Sequence, residues 1–114
     1  MKYLLLAYRD DEARLSLTAG QREALERECL AAEIELRGNG RLVSAQDLGD
    51  GREAVSVELK QGQVVYSEGP YPTRWGTLVR LLFVEAADLN DAMRAAAQLP
   101  QLRLGPIEVR PAAG

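Results

Sequence analysis

Arg80 stands inside an apolar run, Leu78-Val79-Arg80-Leu81-Leu82-Phe83-Val84. A guanidinium in such surroundings needs an anion, because burying an unpaired charge is costly. Two readings follow. Arg80 pairs with Glu85, Glu58 or another acid of the chain, or reaches water at a strand edge; alternatively it holds an anionic ligand in an inter-subunit pocket. Its planar, two-point geometry suits a carboxylate or phosphate. Just ahead of it, Glu68, Tyr71, Arg74 and Trp75 crowd into one irregular stretch. Trp75 there is a core plug, a subunit contact, or the wall of a pocket for a planar or apolar ligand. Gly69-Pro70 is a turn signal, and as a rigid loop it would hold Glu68 and Tyr71 at a cleft mouth. Tyr8 closes the N-terminal apolar run. It is an amphipathic rim residue, or a proton donor if its pKa falls. In acid–base chemistry Glu68 would be the base and Tyr71 or Tyr8 the acid.

Other chemistries lack their residues. The 114-residue chain has no histidine, which removes the commonest general base and zinc ligand. Asp10-Asp11-Glu12 has no regular ligand spacing and reads as a solvated acidic turn, so neither metal nor cofactor is expected. Cys29 lies mid-helix beside Glu28, which suits a small core residue better than a reactive thiol. A lone cysteine also fits a reducing cytoplasm. The net charge of −3 offers no footprint for nucleic acid. No stretch approaches a membrane span. With 27% charged and 46% apolar residues, residues 1–114 read as one folded domain, expected in the cytoplasm.

The elements that must position these residues follow from periodicity. Strands are predicted over 2–8, 41–48, 53–59, 64–67, 78–85 and 106–110. A helix is predicted over 19–37, opened by a Thr18–Gln21 capping box and closed at Gly38-Asn39-Gly40. Its buried stripe is Leu25, Cys29, Ala32 and Leu36, while Leu30 and Ile34 look outward, toward a partner or a folded-back loop. Turns are expected at Gly49-Asp50-Gly51 and Lys60-Gln61-Gly62-Gln63. Asp88 caps a second helix with a Leu89, Ala92, Met93, Ala96, Leu99 stripe, ended by Pro100. The order gives an α+β fold of ferredoxin-like split βαβ type, an antiparallel sheet with two helices on one face.

Two strands are apolar on both faces. Tyr3, Leu5 and Ala7 oppose Leu4, Leu6 and Tyr8; Leu78, Leu82 and Val84 oppose Val79, Leu81 and Phe83. Two helices cover one face only. The other is expected to meet a second copy of the chain, a two-fold pair being the commonest solution. The rival is a monomer whose free face is covered by residues 38–67 or lines a ligand cavity.

Ser67-Glu68-Gly69-Pro70-Tyr71, the strand 78–85 and Ala87-Asp88-Leu89-Asn90-Asp91-Ala92-Met93 together resemble the YCII-related family, in its branch named for an Asp-Gly-Pro-Phe motif (DGPF). The opening Met1–Tyr8 and the ending Gly105-Pro106-Ile107-Glu108-Val109-Arg110-Pro111 match as well. The resemblance implies a dimeric α/β barrel in bacterial cytoplasmic proteins, some encoded near or fused to sigma-type transcription factors. It also implies, for the YCII group, an enzymatic role resting on a His and an Asp in a cleft. Here the motif acid is Glu68 and its aromatic Tyr71. Thr73, Arg74, Trp75 and Gly76 replace a polar stretch, and Val79-Arg80 a Gly-Gly pair. Gln21 lies where relatives carry the histidine, so His-dependent chemistry does not transfer. The expectation is a homodimer binding a small anionic or aromatic metabolite between two facing sheets, through Arg80, Arg74, Trp75, Tyr71 and Glu68. Two alternatives stand beside it: an enzyme using Glu68, Tyr71 or Tyr8 in the same cleft, and a ligand-free interaction module of a sigma-factor pathway.

Overall fold

The computed structural model describes residues 1–49 and 51–113. Strand β1 (Lys2–Arg9) leads through a short helix α1 (Asp11–Leu15) to the long helix α2 (Ala19–Gly38). Strand β2 (Leu42–Asp47), a hairpin of β3 (Val55–Lys60) and β4 (Gln63–Glu68), strand β5 (Thr77–Glu85), helix α3 (Leu89–Ala97) and strand β6 (Ile107–Pro111) follow. The main sheet runs β2-β5-β1-β6, antiparallel throughout, while β3 and β4 form a separate two-stranded arm. This is the expected split βαβ order.

Local chemistry explains the boundaries. Thr18 and Gln21 form the capping box at the start of α2. Asp88 accepts a hydrogen bond from the Asp91 amide at 2.8 Å and starts α3. Gln61 and Gly62 both have positive φ, which a two-residue hairpin turn requires. The acidic connection after β1 is more ordered than periodicity suggests. Asp10 accepts from the Glu12 amide at 3.0 Å and caps α1, whose first turn carries Asp11 and Glu12. Acids at a helix start complement its dipole. The turn expected at Gly49-Asp50-Gly51 includes Asp50, which lies outside the described residues; Gly51–Glu53 is a 3-10 turn.

Cross-strand pairing divides the sheet into rows. Leu42-Val84-Tyr3, Ala45-Leu82-Leu5-Val109 and Asp47-Arg80-Ala7-Ile107 share one face. Tyr3, Leu5, Leu82 and Val84 are fully buried there beneath Leu36 of α2 and Ala92, Ala95 and Ala96 of α3. The opposite face presents Ser44-Phe83-Leu4-Arg110 and Gln46-Leu81-Leu6-Glu108. No described helix covers it, and Leu4, Leu6, Leu81 and Phe83 remain half-buried. A bulge at Val79 pairs Leu78 with Tyr8, so Leu78 belongs to this open face, not to the face of Arg80 and Leu82 as strict alternation predicts.

One further expectation changes. Leu89 and Met93 are exposed because the buried stripe of α3 runs through Ala92, Ala95, Ala96 and on to Leu99. Leu30 and Ile34 do look outward and are exposed, with no folded-back loop over them among the described residues.

Two glycines close the β1 end of the sheet. A Cβ on Gly76, at φ +95°, would lie 2.2 Å from the Arg9 carbonyl oxygen; one on Gly105 would lie 2.1 Å from that of Tyr8. Gly76→Ala is therefore expected to lower the unfolding free energy by upwards of about 2 kcal/mol. Gly20→Ala, with nothing within 4 Å, should be neutral or stabilise by up to about 1 kcal/mol. Urea denaturation of the two variants measures the contrast; equal midpoints would refute the close-approach argument.

Candidate functional site

A cleft of about 680 Å³ opens between α2 and the end of the sheet where β1 and β5 meet. Arg80 lies on its wall, directly opposite Asp47 in the register and beside Ala7, whose short side chain leaves room. The guanidinium donates to both carboxylate oxygens of Glu33, from Nε to Oε1 at 2.6 Å and from Nη2 to Oε2 at 2.5 Å. Its Nη1 donates to Asp47 Oδ1 at 2.6 Å. Of the two sequence readings, pairing within the chain holds, with Glu33 and Asp47 rather than Glu85 or Glu58 as partners. The Glu33 hydrogen bonds hold Arg80 protonated, above the ordinary arginine range. Glu33 is only 7% exposed, the one buried charged residue among those described. A charge that deep is tolerable because both its oxygens are engaged.

Gln101 completes the inner wall. Its Nε2 donates to Glu33 Oε1 at 3.3 Å, while its Oε1 is buried without a hydrogen-bond partner. Cys29 lines the same cleft. Burial pushes its thiol above the usual range, and Glu33 and Glu28 add to this against the pull of Arg103 and Arg80. Such a thiol is a poor nucleophile near neutral pH. Arg9, Arg14 and Arg22 supply further positive charge. Arg9 is engaged by Asp11 at 3.0 Å. Arg14 and Arg22 are half-buried, and neither pairs with a described acid.

The other sequence candidates lie elsewhere. Arg74 stacks its guanidinium 4.4 Å from the centre of the Trp75 ring. Both line a second, smaller cleft of about 510 Å³ with Asp10, Arg103 and Gly105. Trp75 is half exposed, so it is no core plug of the single chain. Glu68 and Tyr71 are exposed and line neither cleft. Their motif is pinned as a strand end: the Gly69 amide donates to the Ala54 carbonyl at 2.7 Å, and Ser56 Oγ donates to the Gly69 carbonyl at 2.9 Å. The Tyr8 hydroxyl points along the open face, 3.5 Å from Glu108 Oε1. The five residues expected to share one site thus divide among separate places.

Sequence reasoning missed Glu33, Gln101, Arg14 and Arg22. Glu33 carried a signal: it follows Cys29 by four residues on the buried side of α2, opposite a strand with a solitary arginine. Arg22 also carried one, as a cation near the start of a helix, where the dipole disfavours it.

The family model of the YCII-related domain matches residues 1–113, and the chain belongs to that family. No curated protein matches it in sequence. Among solved structures it is similar to the 5-chloro-2-hydroxyhydroquinone dehydrochlorinase of Burkholderia phenoliruptrix, determined in complex with 2,5-dihydroxybenzoquinone. The TM-score is 0.58 at 11% identity, over 99% of this chain and 94% of that one. The likeness is one of fold, an α+β chain with an antiparallel sheet in ferredoxin-like strand order.

Removing one side of the buried pair should be costly. Arg80→Met leaves Glu33 without its partner and is expected to destabilise by about 3–5 kcal/mol, whereas Asp47→Ala, at a carboxylate 81% exposed, should cost less than about 1 kcal/mol. The double variant Arg80→Met/Glu33→Leu should recover most of the loss. Chemical denaturation of wild type, Arg80→Met, Glu33→Leu and the double variant closes the cycle, and additive losses would show the pair is not coupled.

Proposed function

We propose that this YCII-related protein binds a small anionic or aromatic molecule in the cleft between α2 and the sheet. The observation that carries the reading is the presence of Arg14 and Arg22, half-buried on a concave wall and neither ion-paired with a described acid, although Glu26 lines the same cleft. The cleft volume is typical of small-molecule sites, as is the mixture of apolar lining and a few placed polar groups. The similar dehydrochlorinase binds a small quinone in its own structure, which is compatible with such a role for the fold. The location differs from the sequence expectation. Arg80 faces the helices, so it cannot hold a ligand between two sheets that meet through their open faces.

The proposal extends to assembly. The lone chain exposes 7874 Å², whereas a compact monomer of its mass exposes about 6,200 Å². Its radius of gyration is 15.9 Å, against about 13 Å for a compact chain of this length. The excess of roughly 1,700 Å² exceeds the share of about 800 Å² that one partner contributes to a standard interface. It arises where apolar surface is uncovered: the open sheet face, and the arm, whose Val55, Val57, Leu59, Val64 and Tyr66 lie together on one face and are exposed. A second copy of the chain covers both in this reading. None of the described helices is long and apolar enough to cross a membrane.

Two measurements follow. Sedimentation velocity at micromolar concentration should give twice the chain mass for wild type and the single-chain mass for Leu6→Glu or Leu81→Glu; a monomeric wild type would overturn the dimer. A thermal-shift screen of small organic anions should stabilise wild type by several degrees, and the double variant Arg14→Gln/Arg22→Gln far less. An equal response in both proteins would remove these arginines from the site.

A further inference from the structure

We infer that two copies of the chain clasp one another by exchanging arms: the apolar face of each β3–β4 arm lies on an apolar strip of the other chain's open sheet face. This rests on the paired assembly proposed above, and it assigns which surface meets which.

The arm needs cover that its own chain does not give. Among the described residues β3 and β4 pair only with each other. A lone two-stranded hairpin is marginal in water unless its apolar face packs on something. Here that face is Val55, Val57 and Leu59 of β3 beside Val64 and Tyr66 of β4, each between 57% and 71% exposed. The reverse face is mostly polar, with Ser56, Glu58, Lys60 and Ser67. The thinnest dimension of the chain is 19 Å, the depth of one helix layer on one sheet. An arm folded across its own open face would make a third layer and add about 10 Å.

The strip has the arm's dimensions. On the open face only the two central strands are apolar: Leu4 pairs with Phe83, Leu6 with Leu81 and Tyr8 with Leu78. Polar residues flank this strip on both sides, Ser44 and Gln46 on β2, Glu108 and Arg110 on β6. Lys2 and Glu85 close one end. The strip is thus two strands wide and three residue pairs long. The arm's outer face matches it, in the rows Val55–Glu68, Val57–Tyr66 and Leu59–Val64. Three rows spaced two residues apart span about 14 Å in each. Contact confined to the two open faces would bury strip on strip and leave both arms wet. Exchange covers both strips and both arms through two equivalent contacts, as a two-fold axis requires. The excess exposed surface of the lone chain, about twice one partner's share of a standard interface, agrees with two contacts.

Complementation followed by sedimentation velocity tests this. Leu6→Glu spoils the strip and Val57→Lys the arm; circular dichroism and urea midpoints check that each variant folds. Each alone should run at the single-chain mass, and an equal mixture at twice that mass. In the mixed pair one contact is wild type on both sides, and the other sets the introduced lysine against the introduced glutamate. If either variant alone stays dimeric, the surface it alters lies outside the interface. If the mixture stays monomeric, like surface meets like. Either result overturns the clasp and leaves the dimer standing; a monomeric wild type overturns both. Cross-linking checks the same contact without disrupting it. In a Cys29→Ser background, a mixture of Tyr66→Cys and Leu81→Cys chains treated with a short bismaleimide should give mixed covalent dimers, and covalent dimers formed only between like chains would overturn the clasp.

Discussion

Strand parity governs this molecule. Side chains alternate across a sheet, so each residue of β1 and β5 is committed to one of two faces, and the helices cover only one. The apolar residues on the helix side make the core. Those on the other side make a surface that the chain itself leaves open. The bulge at Val79 adjusts this parity where it matters most. Beyond it, Thr77 and Leu78 regain their pairing with Arg9 and Tyr8, while Arg80 stays opposite Asp47 and beneath α2.

The charge buried by that arrangement is held by geometry. Glu33 offers two oxygens and Arg80 meets both, with Asp47 taking a further guanidinium nitrogen at the rim. A pair of this kind contributes little net stability compared with an apolar replacement. It does tie α2 to β5 and β2 in one register, because a slip of either strand by one residue would turn Arg80 away from the helix. The cleft inherits its shape from that tie: Arg80, Glu33 and Gln101 form its rigid inner wall.

Much of the fold was legible in the sequence, and the site was less so. Periodicity placed six strands and two long helices, and the capping chemistry at Thr18 and Asp88 placed their starts. The two-faced strands disclosed the uncovered side. Alternation alone failed at Leu78, because a bulge leaves no local mark in an apolar run. The buried stripe of α3 was misassigned because Leu89 and Met93 are larger than the alanines that approach the sheet closely. For the site, sequence reasoning followed proximity along the chain and grouped Glu68, Tyr71, Arg74, Trp75 and Arg80. The fold separates them: the first two end the arm, the next two flank the loop before β5, and Arg80 alone enters the cleft. Its partners come from 33 and 47 residues upstream, Asp47 and Glu33. Contacts at such separations are set by topology, which one sequence does not spell out residue by residue.

The same parity separates the two proposed roles of the protein. Arg80 and Leu81 are neighbours in β5, yet one faces the cleft and the other the open surface. A dimer closed through the open faces would then carry two complete clefts, one per subunit, each walled by its own α2. Ligand binding would require nothing of the partner's side chains. Any influence of one cleft on the other would have to pass through the backbone of β5, a central strand paired on both sides with β1 and β2. Packed sheets resist such deformation. Independent sites on a shared scaffold are therefore the arrangement this fold favours, with assembly sheltering apolar surface and the helix side left to do the chemistry of recognition.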